Sequence, residues 1–359
     1  MDKKIVSHTV IGILGGGQLG KMLCIAAQRL GYTVHIYSES KENPAVTIAD
    51  YHTIGTFNEF DKIDNFSKSC SIVTFETENI PKTTLNRVAL FTEIAPNFKS
   101  LEITQDRLKE KKFLNSQKIS TANFFEILSL SDIETGSEKI LFPAIIKTNR
   151  FGYDGKGQYL VRNIDELIIA WEKLEKKECI LEEQINFQKE LSIVLARKNN
   201  YSIEFYEPSI NFHENGILIT SDVSSTPDKK IILEARRIAT KIANNLEHVG
   251  VICIEMFLTE TNKLLVNEIA PRVHNSGHWT LDGAITDQFE QHIRSICDLP
   301  LGKPNKHSSI IMKNILGDEI LDIRNKLSDP FAKIYIYGKK NVKKNRKMGH
   351  VNFIKHATH

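Results

Sequence analysis

The sequence predicts an α/β segment built on a doubly wound parallel sheet, joined to an α+β region rich in antiparallel strands. Three observations predict it. Residues 13–21, ILGGGQLGK, place a glycine-rich turn between an apolar run and a helical pattern. Strand-like and helix-like stretches then alternate to about residue 100. Beyond residue 185, apolar runs follow one another with turn signals between them, which suits antiparallel pairing.

Val10, Ile11, Ile13 and Leu14 form a run fit for a buried strand. Gly15, Gly17 and Gly20 spell G-x-G-x-x-G, and Leu19, Met22, Leu23, Ala26 and Leu30 recur at helical spacing until Gly31. TVHIYS is the second strand. Glu39 follows it near the ~20-residue offset at which dinucleotide-binding units carry their ribose-binding acid. SIVTFETE is a strand ending in acids, Glu76 and Glu78, at the edge where ligands gather in such sheets. IPKTTLNRVALF is a helix with Pro81 in its first turn.

From about residue 104 the character changes. TQDRLKEKKFLNSQ reads as a charged amphipathic helix, and FPAIIKT and QYLV as strands flanking NRFGYDGKGQ. NIDELIIAWEKLEK opens with Asn163 as cap and Glu166 at capping-box spacing. CILEEQI, LSIVLARK, YSIEFYEPSI and GILITSDV are strands, with Asn215-Gly216 turning the chain before the last of them. A helix is expected from Thr226, with Pro227 in its first position.

A chain of 359 residues is too long for one core and suggests two or three domains. With 41% hydrophobic and 25% charged residues it has the make-up of a soluble globular protein. No apolar run approaches the length of a membrane span, and MDKKIVSHTV lacks the apolar segment of a secretory signal. Five scattered cysteines with no C-x-x-C suit buried thiols in a reducing cytosol, so a cytoplasmic protein without a membrane partner is expected. A net charge of +3 implies no polyanionic partner. The basic run KKNVKKNRK, residues 339–347, is open to three readings: a solvated face, a nucleic-acid contact, or a site for one phosphate.

Three constellations carry chemistry. RFGYDGKGQ holds Gly152, Gly155 and Gly157 between two strands, a loop whose backbone N–H groups can approach phosphate oxygens, with Lys147 just before it. It reads equally as a tight hairpin with surface lysines. GVICIEMFLTETNKLLVNEIAPR is a hairpin, and a turn centred on Thr261–Asn262 sets Glu255 opposite Glu268. Two carboxylates ~5 Å apart repel by about 3 kcal/mol at an effective dielectric of 20, so one is protonated or a cation lies between them. Hard oxygen ligands shared with phosphates point to Mg2+. NEIAPRVHNSGHWT then packs Arg272, His274 and Asn275 into a donor-rich loop beside that pair. Together these suit phosphoryl transfer from ATP and not hydride transfer.

GILGGGQLGKM, FETENIP, GYDGKGQ, VNEIAPRVHNSGHWT and YGK…RKMGH, in this order from about residue 10 to 353, resemble the 5-(carboxyamino)imidazole ribonucleotide synthases, a family of ATP-grasp ligases of purine biosynthesis. The resemblance implies a Rossmann-like pre-ATP-grasp domain over residues 1–103, an ATP-grasp domain over 104–300 with a lid at about 119–186, and a small β-rich domain over 301–359. It implies a homodimer and no nucleic-acid partner. It implies ATP- and bicarbonate-dependent carboxylation of the exocyclic amine of 5-aminoimidazole ribonucleotide through carboxyphosphate. Mg2+, with Mn2+ as a substitute, is the implied metal, held by Glu255 and Glu268; no NAD is implied, and Glu39 becomes a surface residue.

For ATP the resemblance assigns Arg107, Lys147, the loop Gly152, Tyr153, Asp154, Gly155, Lys156, Gly157 and Gln158, and the adenine strand Glu182, Glu183, Gln184 and Ile185. Glu190 falls on the ribose contact, with His213, Asn267 and Glu268 nearby. For the ribonucleotide it assigns Glu76, Tyr153, Asp154, Lys156, Arg272, His274, Asn275, Lys339 and Arg346, of which Tyr153, Asp154, Arg272 and Lys339 are expected to be catalytic. Two departures stand out. Lys156 replaces the family's usual arginine and loses its fork geometry, and Glu183 stands where glutamine is frequent.

Overall fold

The computed structural model describes residues 9–152, 155–225 and 227–355. Among them, a five-stranded parallel sheet runs in the order Tyr51–Ile54, Thr33–Ser38, Val10–Leu14, Ile72–Phe75, Glu93–Ile94. Helix Gln18–Arg29 follows the glycine turn, as the apolar spacing requires. It buries Leu23, Cys24 and Ala27 in a core that continues into Cys253, Phe289 and Ile293 of the region beyond. Each large apolar side chain so buried contributes about 1.5–3 kcal/mol. Arg29 adds ion pairs at 3.3 Å to Asp287 and Glu290 across the same contact. The first layer is thereby fixed as one wall of the central cleft.

Two antiparallel sheets build the rest. A four-stranded sheet orders Phe124–Ile127, Cys179–Glu183, Ala144–Thr148 and Gln158–Val161. A nine-stranded sheet runs Leu264–Ala270, Gly250–Thr259, Phe187–Asn199, Ser209–Glu214, Ile217–Asp222, Ser309–Leu316, Lys347–Lys355, Ala332–Ile336, with Ser202–Phe205 paired to Phe187–Asn199. The C-terminal strands are therefore not a separate sheet. Thr220 pairs with Lys313 and Asp222 with Ile311, which carries the basic loop between Ile336 and Lys347 to the cleft. Asn215 and Gly216 both take positive φ, 51° and 76°, as a tight two-residue hairpin demands. All five cysteines are free and buried.

Three local expectations are corrected. Thr226 lies outside the described residues, and the helix runs Lys229–Asn245. Asp228 is its cap, because its carboxylate accepts from Lys230 N at 2.7 Å. Asn163 does cap Ile164–Lys173, but Glu166 returns to the N–H of Arg162 instead of closing the box on Asn163. In the hairpin of Gly250–Thr259 and Leu264–Ala270, Thr259 N donates to Lys263 O, and Leu258 pairs with Leu264 and Met256 with Val266, one residue short of the expected register. A bulge at Asn267 restores it, so Glu255 does face Glu268.

Candidate functional site

The sheets enclose a cleft of about 1180 Å³. Glu255 and Glu268 stand opposite each other on its floor, Glu255 only 8% exposed. Burial, and then the charge of Glu268, pushes the Glu255 carboxyl up to about 7. Oxygens of this pair and a ring nitrogen of His274 lie within 4.8 Å of one another. His274 Nδ1 accepts from Ser276 N at 3.3 Å, which leaves the carboxylates as the stronger donors to a cation. Asn267, between them in sequence, lines the same cleft, and its Oδ1 is buried with no hydrogen-bond partner. Two carboxylates and an unsatisfied amide oxygen form a hard donor set that fits Mg2+.

Beside this acidic floor sits an excess of cations, Lys147 and Lys111 buried and Arg107 half-buried. Lys147 Nζ donates to Glu182 Oε2 at 2.6 Å, and Lys111 Nζ lies 3.3 Å from Glu182 Oε1. Burial alone would raise Glu182, but Lys147, Lys111 and Arg107 hold it down at about 2. The same crowding works against the Lys147 ammonium, whose pKa is lowered chiefly by burial. Arg107 reaches Glu268 Oε2 at 3.4 Å. Three cations around one carboxylate leave local positive charge for an anionic ligand. Glu190 meets His213 at 2.5 Å on the opposite side; burial would lower the imidazole, but Glu190, Glu255 and Glu268 raise it.

The glycine loop closes the cleft from the four-stranded sheet. Gly155, at φ +75°, packs against the Asn215–Gly216 hairpin so closely that a Cβ would lie 2.4 Å from Asn215 O. Gly152, Gly155, Lys156 and Gln158 line the cleft, whereas Gly157 backs onto Thr148. Tyr153 and Asp154 lie outside the described residues. Arg272 pairs with Glu78 at 2.7 Å, and Asn275 exchanges two side-chain bonds with Asn314. His274, Lys339 and Arg346 complete the rim; Arg346 is steadied by Asn341 O at 2.8 Å.

Several expected contacts sit apart from that lining. The Glu182 carboxylate lies beneath Lys147, Glu183 accepts from Asn123 at 2.7 Å, and neither they nor Gln184 and Ile185 line the cleft. Glu76 is turned into the glycine fingerprint, where it accepts from Gly17 N at 2.5 Å and Gly20 N at 2.8 Å. Burial raises its pKa, and the two N–H groups work against that rise. A Cβ at Gly15, itself at φ +108°, would come within 2.5 Å of its Cγ. The anion position that a dinucleotide pyrophosphate takes at such a helix N-terminus thus holds a carboxylate of the chain itself. Glu110 and Lys111 had no place in the expected site. Glu110 is buried beside Glu268, and burial pushes its carboxyl up to about 8.

Comparison with known proteins agrees with this architecture. Residues 8–105 match the ribonucleotide synthetase preATP-grasp domain, residues 112–289 the ATP-grasp domain, and residues 310–359 the phosphoribosylaminoimidazole carboxylase C-terminal domain. The N5-carboxyaminoimidazole ribonucleotide synthase of Bacillus subtilis is 40% identical over 99% of this chain and 94% of its own. The Staphylococcus aureus N5-carboxyaminoimidazole synthetase complexed with ADP superposes with a TM-score of 0.93 at 33% identity, covering 97% of this chain and 94% of that one. The Aspergillus clavatus synthase in complex with ADP and 5-aminoimidazole ribonucleotide superposes at 0.90 with 28% identity over 97% and 94%.

Proposed function

The chain belongs to the N5-carboxyaminoimidazole ribonucleotide synthase family, and on that premise we propose how its cleft carries the reaction. It is an ATP-dependent ligase of purine biosynthesis that carboxylates 5-aminoimidazole ribonucleotide. The observation that carries the residue assignments is the pairing of an acidic floor, Glu255 and Glu268 with the unsatisfied Asn267 Oδ1, with a cationic excess at the buried Lys147 and Lys111 and the half-buried Arg107. An anion-hungry wall beside a cation-hungry floor fits a metal-bound triphosphate.

Glu255 and Glu268, with Asn267, would hold Mg2+, which would supply neutralisation of charge on the transferring phosphate. Lys147 and Arg107 bind the phosphates, and the glycine loop excludes water over them. A bicarbonate oxygen attacks the γ-phosphorus and ADP leaves, giving carboxyphosphate. The ribonucleotide's exocyclic amine then attacks the carboxyl carbon and phosphate departs. Arg272, Lys339 and Arg346 orient the ribonucleotide and its phosphate; Asp154, which the family resemblance assigns to the ribonucleotide, takes the amine proton as the amine attacks. Bicarbonate and 5-aminoimidazole ribonucleotide should both be required for ADP release. Equal turnover with formate and glycinamide ribonucleotide would overturn the assignment in favour of another acyl-phosphate ligase. The same reading includes a homodimer and a cytoplasmic location; no helix among the described residues is long and apolar enough to cross a membrane.

Metal binding is expected to depend on pH. With the Glu255 carboxyl near 7, a bound cation displaces a proton below that pH. Divalent-cation affinity of the nucleotide-free protein should rise by up to about tenfold per pH unit towards 7 and level off above it. In the metal-free protein the sign is opposite. The folded chain keeps a proton that the unfolded chain releases, so this group costs stability as pH climbs from the usual carboxylate range to about 7. Titration calorimetry with Mn2+ across pH 5.5–8.5 checks this, and an affinity indifferent to pH would refute it.

A further inference from the structure

Glu255 and Glu268 meet only because the chain inserts a bulge at Asn267, and something must hold that bulge. A bulge leaves backbone groups outside the ladder, and two successive carbonyls turn to the same side. Here Val266 O and Asn267 O both face Lys111 Nζ, at 3.4 and 2.9 Å. The adjacent Glu110 accepts from Ile269 N at 3.0 Å, on the far side of Glu268. Both side chains come from consecutive positions of helix Arg107–Ser116, and both residues are almost wholly buried, at 3% and 2% exposed. Below the bulge, Ser120 O takes the N–H of Val266 at 2.9 Å. The strand Leu264–Ala270 is an edge strand, so without these partners its outward N–H and C=O groups would be buried unpaired.

We propose that Glu110 and Lys111 are positioning residues that clamp the bulge at Asn267 and so set the register that brings Glu268 opposite Glu255. Lys111 holds the two carbonyls before Glu268 and Glu110 holds the amide after it. Without the clamp, the register seen between Leu258 and Met256 continues along the hairpin and places Asn267 opposite Glu255. A carboxylate–amide pair then replaces the carboxylate pair. Lys111 also touches Glu182, so one ammonium joins the metal strand to the partner of Lys147. This proposal rests on Glu255 and Glu268 being the metal ligands.

The test reads register and metal binding separately. Inter-strand NOE contacts of the Glu255 backbone are measured in the full chain, and Mn2+ alone is titrated without nucleotide. Lys111→Met is expected to move the Glu255 contact from Glu268 to Asn267 and to weaken Mn2+ binding about tenfold or more. Lys111→Arg, which can still donate to both carbonyls, should retain both properties. Glu110→Leu should act like Lys111→Met, and Glu110→Gln, which keeps an acceptor, should not. If the Glu255–Glu268 contact survives in both Lys111→Met and Glu110→Leu, the proposal is wrong whatever happens to Mn2+. If the register shifts and Mn2+ binding is unchanged, the clamp stands and the metal assignment falls. Should the apolar variants fail to fold, amide exchange in the parent decides: Ile269 N–H must exchange slowly, and faster in Glu110→Gln only to a small degree. Rapid exchange at Ile269 in the parent would overturn the clamp.

Discussion

Glu268→Gln is expected to lower ATP turnover about 10²- to 10³-fold, the scale on which single electrostatic groups in active sites act, while leaving the metal-free fold at least as stable as the parent. The two effects have one origin. Glu268 raises the pKa of Glu255 across the hairpin, second only to burial itself. In the absence of a cation that repulsion is a cost to the folded state. Glutamine keeps the shape and an oxygen that can still accept from Arg107, now 3.4 Å from the carboxylate. It removes the charge that makes the donor set attractive to Mg2+. Activity and thermal midpoint in chelator should therefore move in opposite directions or the midpoint stay still. Near-normal turnover would dismiss the paired-carboxylate site, and a large fall in midpoint would show that Glu268 is chiefly structural.

The parts of the fold that were legible in the sequence are those set by local spacing. The glycine turn, the helix after it, the Asn215–Gly216 hairpin and the Asn163 cap each follow from a few neighbouring residues. The facing of Glu255 and Glu268 was also anticipated, but by way of an unbroken ladder that does not exist. Val266 and Met256 are one step out of that ladder, and the extra residue at Asn267 brings the acids back together. Nothing in the alternation of KLLVNEIA marks the bulge, because its stabilising groups lie about 155 residues away in the chain.

The role of Lys111 is not legible in the sequence for a related reason. In KEKK it reads as one more solvated lysine, and only the tertiary fold shows it 2% exposed against backbone carbonyls. The glycine fingerprint does mark strand, turn and helix. Its ligand was not legible, because Glu76, 59 residues from Gly17, supplies the anion. The joining of the C-terminal strands to the nine-stranded sheet rests on pairs such as Asp222 with Ile311, which no local pattern announces.

Lys147→Met should raise the Michaelis constant for ATP about 10- to 100-fold, the worth of a charge-assisted hydrogen bond to phosphate, with little change in that for the ribonucleotide. Breaking a buried ion pair ordinarily destabilises by about 3–5 kcal/mol, because the remaining charge is left alone. Glu182 is not left alone. Lys111 stays 3.3 Å from its other oxygen, and Arg107 also holds its pKa down. The loss in stability should therefore be well under that figure, and methionine fills most of the space of the lysine stem. Steady-state kinetics for both substrates, with a thermal melt, separate the cases. An ATP constant within about threefold of the parent would mean that Lys147 serves Glu182 and not the nucleotide. A collapse in stability would mean that Lys111 cannot hold Glu182 by itself, and that the cations around it form one unit and not an excess poised for phosphate.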